Sequence, residues 1–179
     1  MRLFPRLLLI AALVVAITPL AAQAPATESM AGVKNFARVE TTIACAGAID
    51  AAVAVPEIKK LGFVSIINLR EATEPGADVE NEREIAESAG LKYFHVPFNG
   101  SNPDPKAADA FVVAITAAGA EPAFVHCSGG NRAATMWLIK RLVVDHWAAD
   151  RAVKEAIDLG QTSAPLRTFA LDYAARHKP

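Results

Sequence analysis

The sequence predicts a three-layer α/β domain, a mostly parallel sheet of four or five strands with helices on both faces. Three observations predict it. Apolar strand-like runs alternate with segments of helical period, the pattern of βαβ units. One run, Phe63-Val64-Ser65-Ile66-Ile67-Asn68-Leu69, is apolar nearly throughout, as a parallel strand covered on both faces must be. Glycines stand where helices should end, at Gly62, Gly90, Gly119 and Gly160.

The N-terminus is set apart from this pattern. Arg2 and Arg6 precede an apolar run from Leu7 to Ile17, and small residues follow from Ala21 to Ala26. A basic start, an apolar stretch and an Ala-rich cleavage zone predict a signal peptide over residues 1–26. The run is short for a membrane span, which takes about 20 residues. A small polar stretch, 27–34, is expected as a flexible leader. Residues 35–179 are expected to form the single domain, periplasmic or secreted.

Within the domain, Asn35 to Glu40 and Thr41 to Ala46 read as two short strands. Ala48 to Leu61 has Val53, Val55, Ile58 and Leu61 at helical spacing, and Pro56 suits a first helical turn. The strand over 63–69 follows. Glu71 to Asp78 is a loop carrying Pro75-Gly76, and Val79 to Ala89 an acidic helix whose charges read as a solvated face. Lys92 to Val96 is the next strand. Pro97 to Pro105 is a turn-rich loop, Ala107 to Ala118 a helix, and Ala123 to His126 a further strand. Helices over Ala133 to Trp147, Ala148 to Leu159 and Ala164 to Ala175 complete the chain.

Composition narrows the partners. The net charge is −1, and −3 once Arg2 and Arg6 are removed with the leader. No basic stripe or tail is present, so neither nucleic acid nor, after signal cleavage, a membrane surface is expected as a partner. The sequence holds no CxxC, HExxH, Walker or dinucleotide fingerprint, and no metal or organic cofactor is expected. Export permits a disulfide between the two cysteines, Cys45 and Cys127. Cys45 reads more simply as a buried strand residue.

The stretch that carries chemistry is Pro122-Ala123-Phe124-Val125-His126-Cys127-Ser128-Gly129-Gly130-Asn131-Arg132. A strand, a Gly-rich loop and a helix in that order aim loop amides and a helix N-terminus at one place, which favours an anion there. The same field favours a thiolate and so makes Cys127 a candidate nucleophile. Arg132 can present a planar fork to two phosphoryl oxygens. Gly129 and Gly130 are expected to take positive φ and let the backbone approach a ligand. The candidate phosphate-binding set is Ser128, Gly129, Gly130, Asn131 and Arg132, with Arg70 at the carboxyl end of its strand. Arg70 suits an ion pair with Glu71, Glu74 or Asp78 equally well. Asn131 also suits a side-chain clasp on nearby backbone, and His126 a structural partner that tunes Cys127.

This loop resembles the signature of the cysteine-dependent phosphatases, the dual-specificity and tyrosine phosphatase superfamily, whose pattern is His-Cys, five residues, then Arg. Here four residues separate Cys127 from Arg132. The shorter spacing is similar to a bacterial phosphatase family that also forms the N-terminal module of beta-lactamase-hydrolase-like proteins. The resemblance runs from about Asn35 to Gly160. It rests on Gly62 to Arg70, on Ala89 to Pro97 and on the His-Cys loop.

The resemblance implies hydrolysis of phosphate monoesters, on a phosphorylated protein or a small molecule, through a cysteinyl-phosphate at Cys127. It implies a general-acid Asp from the loop after the preceding strand. Asp104 is the only carboxylate there, although its place before a helix also suits a cap. Asn99-Gly100 stands where the family's Asp is expected, and Ala133 replaces the Ser or Thr that often follows the Arg. The loop length also matches the rhodaneses, so a sulfurtransferase is one alternative. A non-catalytic phosphate-binding domain is another.

Overall fold

The computed structural model describes residues 26–39 and 43–177. The expected signal peptide lies outside the described residues, apart from Ala26. In chain order the elements are β1 (Ala26–Thr27), β2 (Ala37–Val39), β3 (Ile43–Ala46), α1 (Ala51–Lys60), β4 (Ser65–Asn68), α2 (Val79–Ser88) and β5 (Lys92–His95). There follow α3 (Pro105–Thr116), β6 (Ala123–His126), α4 (Asn131–Val143), α5 (Ala149–Asp158) and α6 (Ala164–Arg176). The sheet order is β1-β2-β3-β6-β4-β5. The part from β3 to β5 is parallel throughout, while β1 and β2 add to its edge antiparallel. The expected α/β architecture is present, with one strand beyond the expected four or five. That strand, β1, lies at the edge of the expected leader, and Val33 N–H bonds to Met30 O at 3.2 Å within it.

β6 is the centre of the sheet, and period two divides its side chains. Ala123, Val125 and Cys127 enter the apolar core shared with α3, α4, α5 and α6. Phe124 enters the other core, built with α1 and α2. Phe124 stacks there on Phe36 and meets Phe63 edge-on, with centroids 6.2 and 5.9 Å apart. All four residues of β4 and of β6 are buried, which is why both read as apolar runs. Burial at about 25 cal/mol per Å² of apolar surface makes this sandwich the main stabilising term.

Helix boundaries moved where sequence period and capping competed. α1 begins at Ala51, so Pro56 lies inside the helix and not in its first turn. Ala54 and Val55 before Pro56 and Ile58 after it are buried and hold the helix by packing. α4 ends at Val143, and Trp147 lies beyond it after His146 at φ 53°. Residues Ala133 to Lys140 of α4 are all buried, so this helix is the spine of the larger core.

Candidate active site

The loop after β6 is held from several sides by backbone. Cys127 N–H donates to Ala46 O at 3.1 Å, and Ala48 N–H donates to Ser128 O at 3.0 Å. Asn35, at φ 50°, donates its side-chain amide to Gly129 O at 3.0 Å. Gly130 takes φ 95° and is the N-cap of α4. Only Gly130 fulfils the positive-φ expectation. Gly129 is not in that region, and a Cβ there would meet nothing within 4 Å. The turn needs one left-handed residue, and the second glycine is not the one that supplies it.

The left-handed turn brings Gly130 N–H to Cys127 Sγ at 3.1 Å. The amides of Ser128, Gly129, Asn131 and Arg132 have no backbone acceptor among the described residues. Free donors are what the first turn of a helix leaves over. Asn131's side chain is not among these free donors. It donates to Thr162 Oγ1 at 2.6 Å and accepts from the amides of Thr162 and Ser163 at 3.3 Å, clasping the α5–α6 connection to the loop.

Arg132 lies against Cys127, and its guanidinium is largely sequestered from water. Nη1 donates to Leu69 O at 3.2 Å, Phe98 O at 2.9 Å and Glu74 Oε1 at 2.6 Å. Nη2 donates to Glu74 Oε2 at 2.8 Å and to Ser128 Oγ at 2.9 Å. The end of the fork is therefore spent on Glu74. Only Nε has no hydrogen-bond partner among the described residues, and Nη2 can serve a ligand on that edge by giving up Ser128 Oγ. Burial opposes the charge of Arg132, but hydrogen bonds to Glu74 and the adjacent Cys127 outweigh it and push its pKa up. Burial likewise opposes the charge of Glu74. The Arg132 bonds, Glu71 N–H and the Arg132 charge overcome it and hold the carboxyl at about 2.

Arg70 is not placed as a phosphate ligand. It is 5% exposed, and its donors are bound within the following loop. Nη1 meets Gly76 O at 2.8 Å, Nη2 meets Pro75 O at 2.6 Å and Nε meets Glu74 at 3.4 Å. The ion-pair reading of Arg70 is the one the geometry supports.

Asp104 caps α3, accepting from Lys106 N–H at 2.9 Å. It lines a cavity of about 530 Å³ with Glu71, His95, Asn99 and Asn102, and the Cys127 loop does not line that cavity. The part of this connection that packs on Arg132 is Gly100, where a Cβ would lie 3.3 Å from Arg132 Cγ. Asn99 uses its side-chain oxygen to hold Ser101 N–H and Asn102 N–H at 2.9 and 3.1 Å. No carboxylate stands at that point of contact.

Beneath the loop runs a buried polar network. His126 is 0% exposed, and its Nε2 lies 2.8 Å from Glu82 Oε1. The carboxylate accepts, so Nε2 donates, while Nδ1 has no hydrogen-bond partner among the described residues. Asn68 donates to both Glu82 oxygens at 3.2 Å and to Tyr93 OH at 2.9 Å. Burial and the neighbouring Glu82 push the Tyr93 hydroxyl's pKa up. Glu82 is thus not part of a solvated face. It shares the inward face of α2 with Val79 and Ala86, the other buried residues of that helix.

Cys45 and Cys127 are both free thiols. Cys45 is wholly buried, and burial first, then Cys127 and Glu155, push its thiol's pKa up.

Residues 35–143 match the family described as Beta-lactamase hydrolase-like protein, phosphatase-like domain. The chain belongs to that family. It is therefore of the cysteine-dependent phosphatase type. A curated Beta-lactamase hydrolase-like protein from Agrobacterium fabrum is 38% identical over 89 residues, a match covering 47% of this chain. The chain spans about a fifth of that protein's length, the match covering 20% of it.

Solved structures of the same fold include a DUF442 protein of Shewanella putrefaciens CN-32 named for phosphatase activity. It has a TM-score of 0.69 and 16% identity, over 83% of this chain and 96% of its own. TpbA of P. aeruginosa has a TM-score of 0.63 and 19% identity, over 90% and 94%. A Cys-to-Ser form of TpbA was crystallised with phosphotyrosine. The core catalytic domain of the S. cerevisiae PP-IP phosphatase SIW14 has a TM-score of 0.62 and 20% identity, over 83% and 93%.

Proposed function

We propose that this chain hydrolyses phosphate monoesters through a cysteinyl-phosphate on Cys127, outside the cytoplasm after loss of residues 1–26. The observation that supports the reading most is Gly130 N–H on Cys127 Sγ, beside Arg132 and a run of unspent loop amides. In this reading the Cys127 thiolate attacks phosphorus. The S–P bond forms and the P–O ester bond breaks. The amides of Ser128, Gly129, Asn131 and Arg132 hold the equatorial oxygens together with Arg132 Nε, and with Nη2 once it releases Ser128 Oγ, as charge develops. Water then attacks phosphorus, the S–P bond breaks and orthophosphate leaves.

The substrate class follows from what the leaving oxygen meets. Asp104 is engaged at the start of α3, and Gly100 is the residue against Arg132. A general acid must stand within hydrogen-bond reach of the leaving oxygen. Without one from this connection, esters whose leaving group departs as a stable anion are favoured. That means aryl phosphates, phosphotyrosine among them, over alkyl phosphates.

The test is phosphate release from an aryl phosphate by the reduced protein and its Cys127→Ser form. A parallel arm follows thiocyanate from thiosulfate and cyanide. Phosphate release that disappears with the serine supports the reading. Thiocyanate without phosphate would assign a sulfurtransferase, and anion binding without either product a binding domain.

A further inference from the structure

We infer that Asn35 is the positioning residue that sets the Gly130 amide on Cys127, by holding the other side of the same peptide bond. This rests on the phosphatase reading above and adds a residue to it.

The peptide between Gly129 and Gly130 has two polar ends. Its N–H donates to Cys127 Sγ at 3.1 Å. Its carbonyl, Gly129 O, accepts from Asn35 Nδ2 at 3.0 Å. A trans peptide is planar and points its N–H and C=O in opposite directions. The cis bond among the described residues lies elsewhere, at Glu121-Pro122. Whatever fixes the carbonyl therefore fixes the N–H, and Asn35 is the partner of Gly129 O among the described residues.

Little else holds this plane. Glycine stands on both sides of it, so the backbone can rotate there at small steric cost. A Cβ on Gly129 would meet nothing within 4 Å. The units before and after are tied in other ways. Ser128 O accepts from Ala48 N–H at 3.0 Å, and Gly130 O accepts from Ala134 N–H of α4 at 3.0 Å. Between these two ties the side chain of Asn35 supplies the third.

Asn35 is itself placed for this contact. Its φ of 50° is left-handed, a conformation asparagine adopts more readily than most residues other than glycine. The preceding residue is anchored, with Lys34 N–H on Ala48 O at 3.0 Å and Gly47 N–H on Lys34 O at 2.7 Å. A Cβ on Gly47 would lie 3.1 Å from both Lys34 O and Ser128 O. Backbone at 34, 47 and 128 is thus in close contact, and the left-handed residue that follows Lys34 carries its amide onto Gly129. Asn35 is exposed, so its replacement opens no cavity.

The experiment follows hydrogen exchange at the Gly130 and Ala48 amides by NMR, and inorganic phosphate binding by calorimetry, for the wild type, Asn35→Gly and Asn35→Asp. Asn35→Gly keeps the left-handed backbone and removes the donor. Asn35→Asp keeps the turn and the shape but puts a carboxylate against a carbonyl. In Asn35→Gly, exchange at Gly130 should quicken by roughly threefold to tenfold, as for the loss of one hydrogen bond, while Ala48 keeps its rate. Phosphate should bind more weakly by a similar factor, and Asn35→Asp should lose at least as much. Were Asn35 needed for the turn alone, glycine would match the wild type. Unchanged exchange at Gly130 in folded Asn35→Gly would therefore overturn the inference. So would an equal quickening at Gly130 and Ala48, or phosphate binding as tight as in the wild type. Should Asn35→Gly fail to fold, Asn35→Asp decides by the same two readouts. Neither arm needs turnover. A wild type that binds phosphate without hydrolysing esters would sink the phosphatase reading and still decide the role of Asn35.

Discussion

Arg70 and Arg132 stand at the same rim of the sheet and share one carboxylate, yet they end in different states. Arg70 gives Nη2, Nη1 and Nε to Pro75 O, Gly76 O and Glu74, all in the loop that directly follows it. Arg132 gives Nη1 and Nη2 to Leu69, Phe98, Glu74 and Ser128, whose hydroxyl belongs to the Cys127 loop itself, and keeps Nε without a partner among the described residues. The same division separates Asp104, spent on α3, from the amides of Ser128, Gly129, Asn131 and Arg132, which have no backbone acceptor among the described residues. A charged group at a strand's carboxyl end becomes a ligand only if the surrounding carbonyls and carboxylates leave it donors to offer.

The comparison breaks most visibly at Arg132. Arg132→Lys should lower kcat on an aryl phosphate by roughly 10²-fold, because a point charge replaces a fixed fork at developing charge. An activity within threefold of wild type would mean that the edge beside Cys127 is not used.

Glu74 offers the next effect, read as stability against pH. Its folded pKa, about 2, lies below the ordinary carboxylate value of 4.5. Its contribution is therefore full above about pH 5 and is lost as pH falls through 2. In urea titrations Glu74→Gln should be less stable than wild type at pH 7 by on the order of 2 kcal/mol, allowing for its partial exposure. The gap should close toward pH 2. A gap independent of pH would assign the loss to packing.

Arg70→Lys should cost about 1–2 kcal/mol, from carbonyls that lose a donor, seen as a lower urea midpoint. Its loss of kcat should be smaller than that of Arg132→Lys. An equal loss would place Arg70 in the site and erase the distinction between the two arginines. Asp104→Ala is the smallest change. Removal of the α3 cap should cost about 1 kcal/mol, with kcat within twofold of wild type. A tenfold fall in kcat at unchanged stability would make Asp104 the general acid after all.

Much of the fold was legible because period and burial agree along this chain. β4 and β6 are covered on both faces and read as apolar throughout, and α3 begins at an Asp-Pro pair that both capping and proline geometry favour. α1 and α4 were harder, because packing carried α1 through Pro56 and ended α4 before Trp147. The Cys loop was legible as strand, glycines and arginine. Glu74 and Glu82 were not. Each sits among other acids in sequence, and nothing local distinguishes a carboxylate that faces a buried arginine or histidine from one that faces water.

The sequence by itself determined the order of elements, the two-sided burial of the central strands and the placing of Cys127, Gly130 and Arg132 on one turn. These depend on contacts between near neighbours along the chain, where spacing fixes direction. Only the tertiary structure decided which charges are spent and which remain. Arg132 meets Glu74 across 58 residues, and His126 meets Glu82 across 44. Pairs so far apart are brought together by the crossovers of the sheet, and hydrogen-bond geometry, with a tolerance of a few tenths of an ångström, then selects among them.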